Sequence, residues 1–513
     1  MPGIKPTNLV VGALLLGLAA GAGGAWWWLM SAHETRSGFV GRQGRAFVRF
    51  SEPFRPIGVN FYSAAGDPAI FVCGPHHDDP DTDIDEAFRR IREETGASVV
   101  RFWAFQSYTA GGTDWRAFDR VVRLARKHDL LLLPVLENQW ADCTHGGPRD
   151  ASWYAGRFRQ PDDGYLLAYE AYVRAVVTRY RDEPAIFAWM LMNEAESKRQ
   201  DGSADPEALR AFADTMSRIV KSIAPHQLVA LGVIGRGQPG TVAPDFERLH
   251  ALPAVDLVTY HDYLADAAPL PGARLDVAGF IQGQDWSWQN GPYASLRGQT
   301  WETVEYRVAG TSGAPAPRRI GLTLFGDFGG DLYVDEIRLG ARTFDFEDGT
   351  TQGWQADGPI SVEPTTARSA GGRHALRIRV SAPEGGAQLW LTPPADLGPG
   401  ATLSARLFLE TPGTAPRAST LAAALATAAG LETPLLVSEA GLATCSAPPG
   451  SLVNTPAERA ARFDAKIDAF FRAGGAGYLV WSWHPATSCG YEFSSGDPLN
   501  GVLRGWAGRL TPR

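Results

Sequence analysis

From about Ser37 onward, short apolar runs alternate with amphipathic stretches, a rhythm that repeated βα units produce and few other folds do. The most informative run is Ile186-Phe-Ala-Trp-Met-Leu-Met-Asn-Glu194, bounded upstream by Asp182-Glu183-Pro184. Its unbroken apolar character suits a strand buried on both faces of a parallel sheet. It also delivers an Asn-Glu pair at its carboxyl end, where an α/β barrel places its chemistry. A lone Asn-Glu pair is more often solvated surface. Weight comes from a distant second run, Pro434-Leu-Leu-Val-Ser-Glu439, which also ends in a glutamate. Two carboxylates at strand ends are what double-displacement or acid/base attack on a glycosidic bond requires.

In chain order, strands are expected at Ile57–Phe61, Ser98–Arg101, Leu130–Leu136, Ile186–Met192, Leu228–Gly232 and Val255–Tyr260, then at Leu435–Ser438 and Gly477–Trp481. Helices are expected between them. Asp83–Thr95 puts Ile84, Phe88 and Ile91 on one face and stops at Gly96; Thr113 caps the next. Tyr165–Arg181 turns Leu166, Tyr169, Tyr172, Val173, Val176 and Tyr180 inward. Asp205-Pro206 and the capping box Thr455-Pro-Ala-Glu458 open two more. Between residues 273 and 412 the helical pattern vanishes and Gly- and Pro-punctuated alternating runs replace it, as in a β-sandwich. Excising that segment leaves eight strands. The expected fold is therefore α/β: a (β/α)8 TIM barrel, residues 37–272 and 413–513, with an all-β sandwich inserted between strands six and seven.

Residues 1–36 form a separate segment. Leu9–Met30 is uncharged and apolar, long enough to span a bilayer, with Trp26-Trp27-Trp28 suited to an interface. It reads as an N-terminal membrane anchor; Gly23-Gly24-Ala25 keeps a cleaved signal open as the rival reading. On either reading the protein is exported. The net charge of −8 argues against a nucleic-acid partner. Sixteen Trp and fourteen Tyr mildly favour a carbohydrate ligand, whose apolar ring faces stack on aromatic rings.

Barrel topology brings Arg101, Asn138, Asn193, Glu194, His261, Tyr263, Glu439 and Trp481 to one face. In wording, Val-Val-Arg101-Phe-Trp-Ala-Phe, Leu-Glu-Asn138-Gln-Trp, Trp189-Met-Leu-Met-Asn193-Glu194, Thr-Tyr260-His261-Asp-Tyr263, Leu-Val-Ser-Glu439 and Tyr-Leu-Val-Trp481-Ser-Trp483 resemble the retaining (β/α)8 glycoside hydrolases of family 5, most closely the endo-β-mannanase branch. The likeness covers the two barrel segments. It implies that Glu194 is the acid/base, with a raised pKa, and Glu439 the nucleophile. It further implies that Arg101 keeps Glu439 charged and Asn193 bonds the sugar 2-hydroxyl. On the same grounds His261 and Tyr263 orient the glutamates, and Trp481 floors the subsite at the scissile bond. Asn138, Trp103 and Trp140 join the substrate-binding set, with packing as the alternative for both tryptophans and for Trp483. Met190, Glu137 and Ala440-Gly441 depart from the mannanase wording, which bears on the substrate.

Thr343–Trp354 resembles the opening strand of a jelly-roll carbohydrate-binding module and Leu332–Leu339 a closing strand, so the sandwich reads as a permuted jelly roll. Trp286, Trp288, Trp354 and Trp390 are its candidate platforms. The four cysteines fall in loops after strands one, three, seven and eight; Cys73–Cys143 and Cys445–Cys489 are the expected pairs of the three possible pairings. The sequence carries no metal-ligand spacing and no cofactor motif. The reading is thus a monomeric retaining glycosidase acting on a β-linked polysaccharide, β-mannan first. A β-glucanase or an envelope transglycosylase is the alternative on the same residues, and an inactive carbohydrate-binding protein the rival of another class.

Overall fold

A computed structural model describes residues 38–510, apart from 75–76, 162–163, 265–274, 285–287, 292, 308–316, 326–330, 359, 381–386, 395–396, 398–400, 411–419, 445–453 and 487–489. The N-terminal apolar segment, Trp286, Cys445, Cys489 and the boundaries at 273 and 412 lie outside the described residues. Among the described residues no helix is long and apolar enough to cross a membrane.

Eight parallel strands form the barrel: β1 (Ile57–Asn60), β2 (Val99–Trp103), β3 (Leu131–Val135), β4 (Ala188–Met190), β5 (Leu228–Ala230), β6 (Val258–Asp262), β7 (Leu435–Ala440) and β8 (Gly477–Val480). They neighbour one another in the order β5-β4-β3-β2-β1-β8-β7-β6. Every residue in all eight is buried, which is why each reads as an apolar run rather than an alternating one. Asp256 closes the seam between β5 and β6: its N–H donates to Val229 O (2.8 Å), and its carboxylate accepts from Val229 N–H (2.8 Å). A three-stranded meander, Val40–Gln43, Ala46–Arg49 and Glu52–Phe54, precedes β1 and was not expected from the sequence. It packs Phe47 edge-on against Phe187, at the amino-terminal end of β4 (5.0 Å).

The helices differ from expectation mainly at their starts. Asp205 and Thr455 cap as expected, the latter in a full capping box. Thr113 does not cap: the helix begins at Arg116, and the Thr113 hydroxyl instead donates to Ala110 O (2.9 Å). The helix expected from Tyr165 begins at Tyr169, which leaves Leu166 outside it and 65% exposed rather than inward.

Between β6 and β7, twelve described strands from Leu275 to Leu409 form two six-stranded antiparallel sheets around their own core. Asp331–Leu339 and Arg342–Phe344 pair as a hairpin, so the two jelly-roll-like segments are neighbours. Trp354 belongs to this core, 1% exposed, and is no platform. Arg319 covers the ring of Trp390 at 4.2 Å.

A buried polar node ties the sandwich to the barrel. The Asp276 carboxylate, in strand Leu275–Gly283, accepts from the Ser295 hydroxyl (2.7 Å), the Thr420 hydroxyl (2.6 Å) and Thr420 N–H (3.2 Å). Thr420 Oγ1 in turn meets the hydroxyl of Tyr260 in β6 (2.7 Å). Burial pushes the Asp276 carboxyl up to about 6, against these three donors. Removing the acceptor strands the donors in an apolar setting. Asp276→Ala is therefore expected to lower stability by about 2–3 kcal/mol, and Ser295→Ala by about 1 kcal/mol. Urea unfolding of the two variants checks this.

Candidate active site

Register explains how distant residues meet. In the parallel ladders Asn60 lies opposite Arg101, and Asn138 opposite Asn193. Between Val437 and Glu439 the ladder of β7 slips against β6, and the slip sets Glu439 opposite His261. Such an irregularity re-aims a side chain. Glu194 is aimed differently, by a left-handed backbone (φ 58°) just beyond β4. Gly232 (φ +86°) permits this turn, because a Cβ there would lie 1.9 Å from Met192 O.

Arg101 is the hub. It is fully buried, and its guanidinium donates to Glu439 Oε1 (2.6 Å), Asn60 Oδ1 (2.8 Å) and Asn193 Oδ1 (2.6 Å) while lying over the Trp103 ring (4.8 Å). Because arginine only donates, it fixes which way each asparagine amide points. Asn60 therefore turns its Nδ2 to Ser438 O (3.0 Å) and Val480 O (3.3 Å), tying β1 to the segments that carry Glu439 and Trp481. Asn193 turns its Nδ2 to Asn138 Oδ1 (3.0 Å), and Asn138 donates onward to Asp142 O (2.9 Å). Asn138 thus stands behind Asn193, with both ends of its amide engaged.

The two glutamates share a histidine. His261 Nδ1 lies 2.7 Å from Glu194 Oε1 and 3.4 Å from Glu439 Oε2. A nitrogen between two carboxylates carries the proton, so Nδ1 is the donor. Tyr263 donates to Glu439 Oε2 (2.9 Å), and Trp140 Nε1 donates to Glu194 Oε2 (2.6 Å). Ligand atoms of Glu194, His261 and Glu439 all lie within 4.8 Å of one another, and among the described residues only this group could hold a metal ion. Donation from Arg101, Tyr263 and Trp140 already occupies its oxygens and accounts for the cluster.

The raised pKa expected of Glu194 is not what its surroundings produce. Burial, the largest influence, pushes the carboxyl up. The hydrogen bond and charge of His261, the Trp140 N–H and the charge of Arg101 together outweigh it and hold the carboxyl below its ordinary value. An isolated buried carboxylic acid was the wrong picture; two donors stabilise its ionised form.

Aromatic residues complete the floor. The half-buried Trp481 stacks in parallel on Tyr62 (5.4 Å, 10°). Trp103, expected at the substrate, is 6% exposed and enclosed between Arg101 and Phe105 (5.1 Å, 18°). Trp483 is core, edge-on to Phe61 (5.5 Å). Cys73 and Cys143 form a disulfide (Cα–Cα 5.4 Å) joining the loops after β1 and β3. Asn60 and Tyr62 went unnoticed in the sequence, although Asn60 carries the same signal as Asn193, a polar residue at the end of an apolar strand.

An eight-stranded barrel with two glutamates at the ends of β4 and β7, bridged by a histidine, is the arrangement that two-carboxylate glycoside hydrolases use. Residues 119–266 match the family model described as "GH family 5 beta-mannosidase-like". The chain is 31% identical over 270 residues to a probable mannan endo-1,4-beta-mannosidase C of Aspergillus terreus, covering 43% of this chain and 64% of that one. It is 33% identical over 211 residues to mannan endo-1,4-beta-mannosidase 7 of Oryza sativa subsp. japonica, covering 33% of this chain and 54% of the relative. The chain spans less than two thirds of the length of these relatives. Among solved structures, the endo-1,4-beta-mannanase from Rhizomucor miehei aligns with a TM-score of 0.48 at 16% identity, over 92% of this chain and 99% of that one. The similarity to glycoside hydrolase family 5 thus rests on residues 119–266 and on the mannanase relatives.

Arg101→Ala leaves the Glu439 charge buried without its partner, which costs about 3–5 kcal/mol. Adding Glu439→Gln to that variant removes the stranded charge and is expected to restore part of the loss. A double-mutant cycle in urea reads the coupling; simple additivity of the two changes would contradict the hub described above.

Proposed function

We propose that the protein hydrolyses β-mannosidic linkages of a polysaccharide with retention of configuration, Glu439 as nucleophile and Glu194 as acid/base. The observation that carries this is the placement of both carboxylates within reach of the same His261 nitrogen, one gripped by Arg101 and Tyr263 and the other by Trp140. Their close approach suits a double displacement, in which the carboxyl groups stand about 5–5.5 Å apart, better than inversion, which needs room for a water.

In the first step a Glu439 oxygen attacks the anomeric carbon. The C–O bond to the leaving sugar breaks, and that oxygen takes a proton from Glu194. In the second, Glu194 accepts a proton from water, the water oxygen attacks the anomeric carbon, and the bond to Glu439 breaks to release the sugar with its original configuration. Asn193 retains an Nδ2 hydrogen for the 2-hydroxyl, a contact that strengthens as charge develops on the ring. Trp481, backed by Tyr62, offers its ring to the sugar face. Asn138 acts through Asn193 as a positioning residue, and Trp103 acts through Arg101. Replacing Glu194 by Gln is expected to lower kcat about 10²–10⁴-fold, and Glu439→Gln about 10³-fold or more, on β-mannan or manno-oligosaccharides. Unchanged hydrolysis in either variant would remove that residue from the mechanism.

Glu194 must enter the first step protonated, yet its surroundings favour the carboxylate. The basic limb of kcat/KM against pH reports loss of that proton in the free enzyme. Trp140→Phe removes a donor that favours the ionised form, so the Glu194 pKa rises and the basic limb moves to higher pH. A limb that stays in place or moves to lower pH would contradict the assignment of Glu194 as the acid.

The Cys73–Cys143 disulfide supports action outside the cytoplasm. Thr444 and Gly490 exchange two backbone hydrogen bonds (2.7 and 2.8 Å). The N-terminal segment then serves as anchor or export signal.

A further inference from the structure

The sandwich reaches into the site it interrupts. Tyr293, just ahead of strand Ala294–Leu296, donates its N–H to Tyr263 O (2.7 Å), and the same stretch bridges in parallel to Leu264. The hydroxyl of that Tyr263 is on Glu439. Tyr293 is half-buried as a residue and meets Phe325 of the sandwich edge-on (5.6 Å). Burial pushes the pKa of its phenol well up, and Glu194 and Asp276 lie near enough for their charges to bear on it as well. Tyr491, from the loop after β8, packs edge-on against Tyr263 (5.4 Å). Tyr263 and Tyr491 close tightly over Gly441, where a Cβ would come within 2.4 Å of Tyr263 and 2.8 Å of Tyr491. Behind them the Asp276–Thr420–Tyr260 node holds the sandwich against β6 by buried hydrogen bonds, whereas a tethered binding module would be free to swing. Of the candidate platforms, Trp354 is enclosed in the sandwich core and Trp390 is covered by Arg319.

Resting on the mannosidase reading above, we propose that the sandwich is a wall of the catalytic cleft rather than a sugar-binding module. In this arrangement Tyr293 is a specificity-determining residue that closes the rim beside β6, so the enzyme acts from chain ends. A polymer lying across both carboxylates meets Tyr293 and the Tyr263–Tyr491 pair within one or two sugars on that side. Internal cleavage needs the chain to continue past it.

The test uses the full chain with reduced mannohexaose, followed by chromatography, and polymeric β-mannan, followed by viscosity. Wild type is expected to release one short product from one end while viscosity scarcely falls. Tyr293→Ala is expected to raise the share of internal products several-fold and Tyr293→Phe to leave it unchanged, with both melting like wild type. Rapid viscosity loss by wild type, or an unchanged product ratio in Tyr293→Ala, overturns the wall. If wild type cleaves no β-mannoside, the mannosidase reading fails separately, and calorimetry with mannobiose through mannohexaose decides about the wall. Affinity that stops rising after two or three sugars supports it; affinity that climbs to the hexaose, or no binding, overturns it.

Discussion

A guanidinium with no solvent exposure sets the order of this site. Removing such a cation from water costs several kcal/mol after relaxation, and the cost is offset only where geometry and further hydrogen bonds are good. Arg101 meets that condition by taking one partner from each of three separate chain segments: Asn60 at the end of β1, Asn193 beyond β4 and Glu439 in β7. Each asparagine is then constrained in turn, because with its oxygen on arginine it turns its amide nitrogen to the next acceptor. The chain Arg101–Asn193–Asn138–Asp142 follows from that single rule of donor chemistry. A lysine at the same position would supply charge without the fork that reaches three acceptors at once.

The same logic makes the two glutamates unlike each other, although both sit at strand ends in one cavity. Glu439 is held from the barrel interior by Arg101 and from the rim by Tyr263. Glu194 is held by Trp140 from the loop after β3 and by His261 from β6. His261 is bonded to one carboxylate and within reach of the other, so one ring fixes the placement of both.

Much of the barrel was legible because burial on both faces leaves little freedom in composition. A strand such as Leu131–Val135 must be apolar throughout, so the polar residue that follows it stands out. Asn193, Glu194, His261 and Glu439 were all visible in that way. Asn60 carried the same signal at the end of β1 and was passed over. The slip in register before Glu439 and the left-handed turn at Glu194 had no signature in composition, since both arise from how neighbouring strands meet. Thr113 and Leu166 misled for a related reason. Local capping and periodicity favoured helix there, but the Thr113 hydroxyl bonds back to Ala110 O and the second helix starts only at Tyr169. The lowered pKa of Glu194 was out of reach because it depends on Trp140 and His261, which stand far apart in the chain.

The insertion shows the limit of reading domains one at a time. As a sequence, residues 273–412 resemble a free-standing binding module, because a sandwich core must alternate inward and outward residues whatever surrounds it. The distinguishing residues are few and sit where the segment touches the barrel. Asp276 is an acid in a strand that is otherwise mostly apolar, and in isolation it would be a destabilising choice. Its cost is offset by Ser295 and by Thr420, and Thr420 lies beyond the sandwich on the way to β7. A buried carboxylate whose donors come from both sides of a boundary ties the two parts into one structure. What the sandwich contributes is then decided at Tyr293 and Tyr263, where its first strands run alongside the loop that grips Glu439.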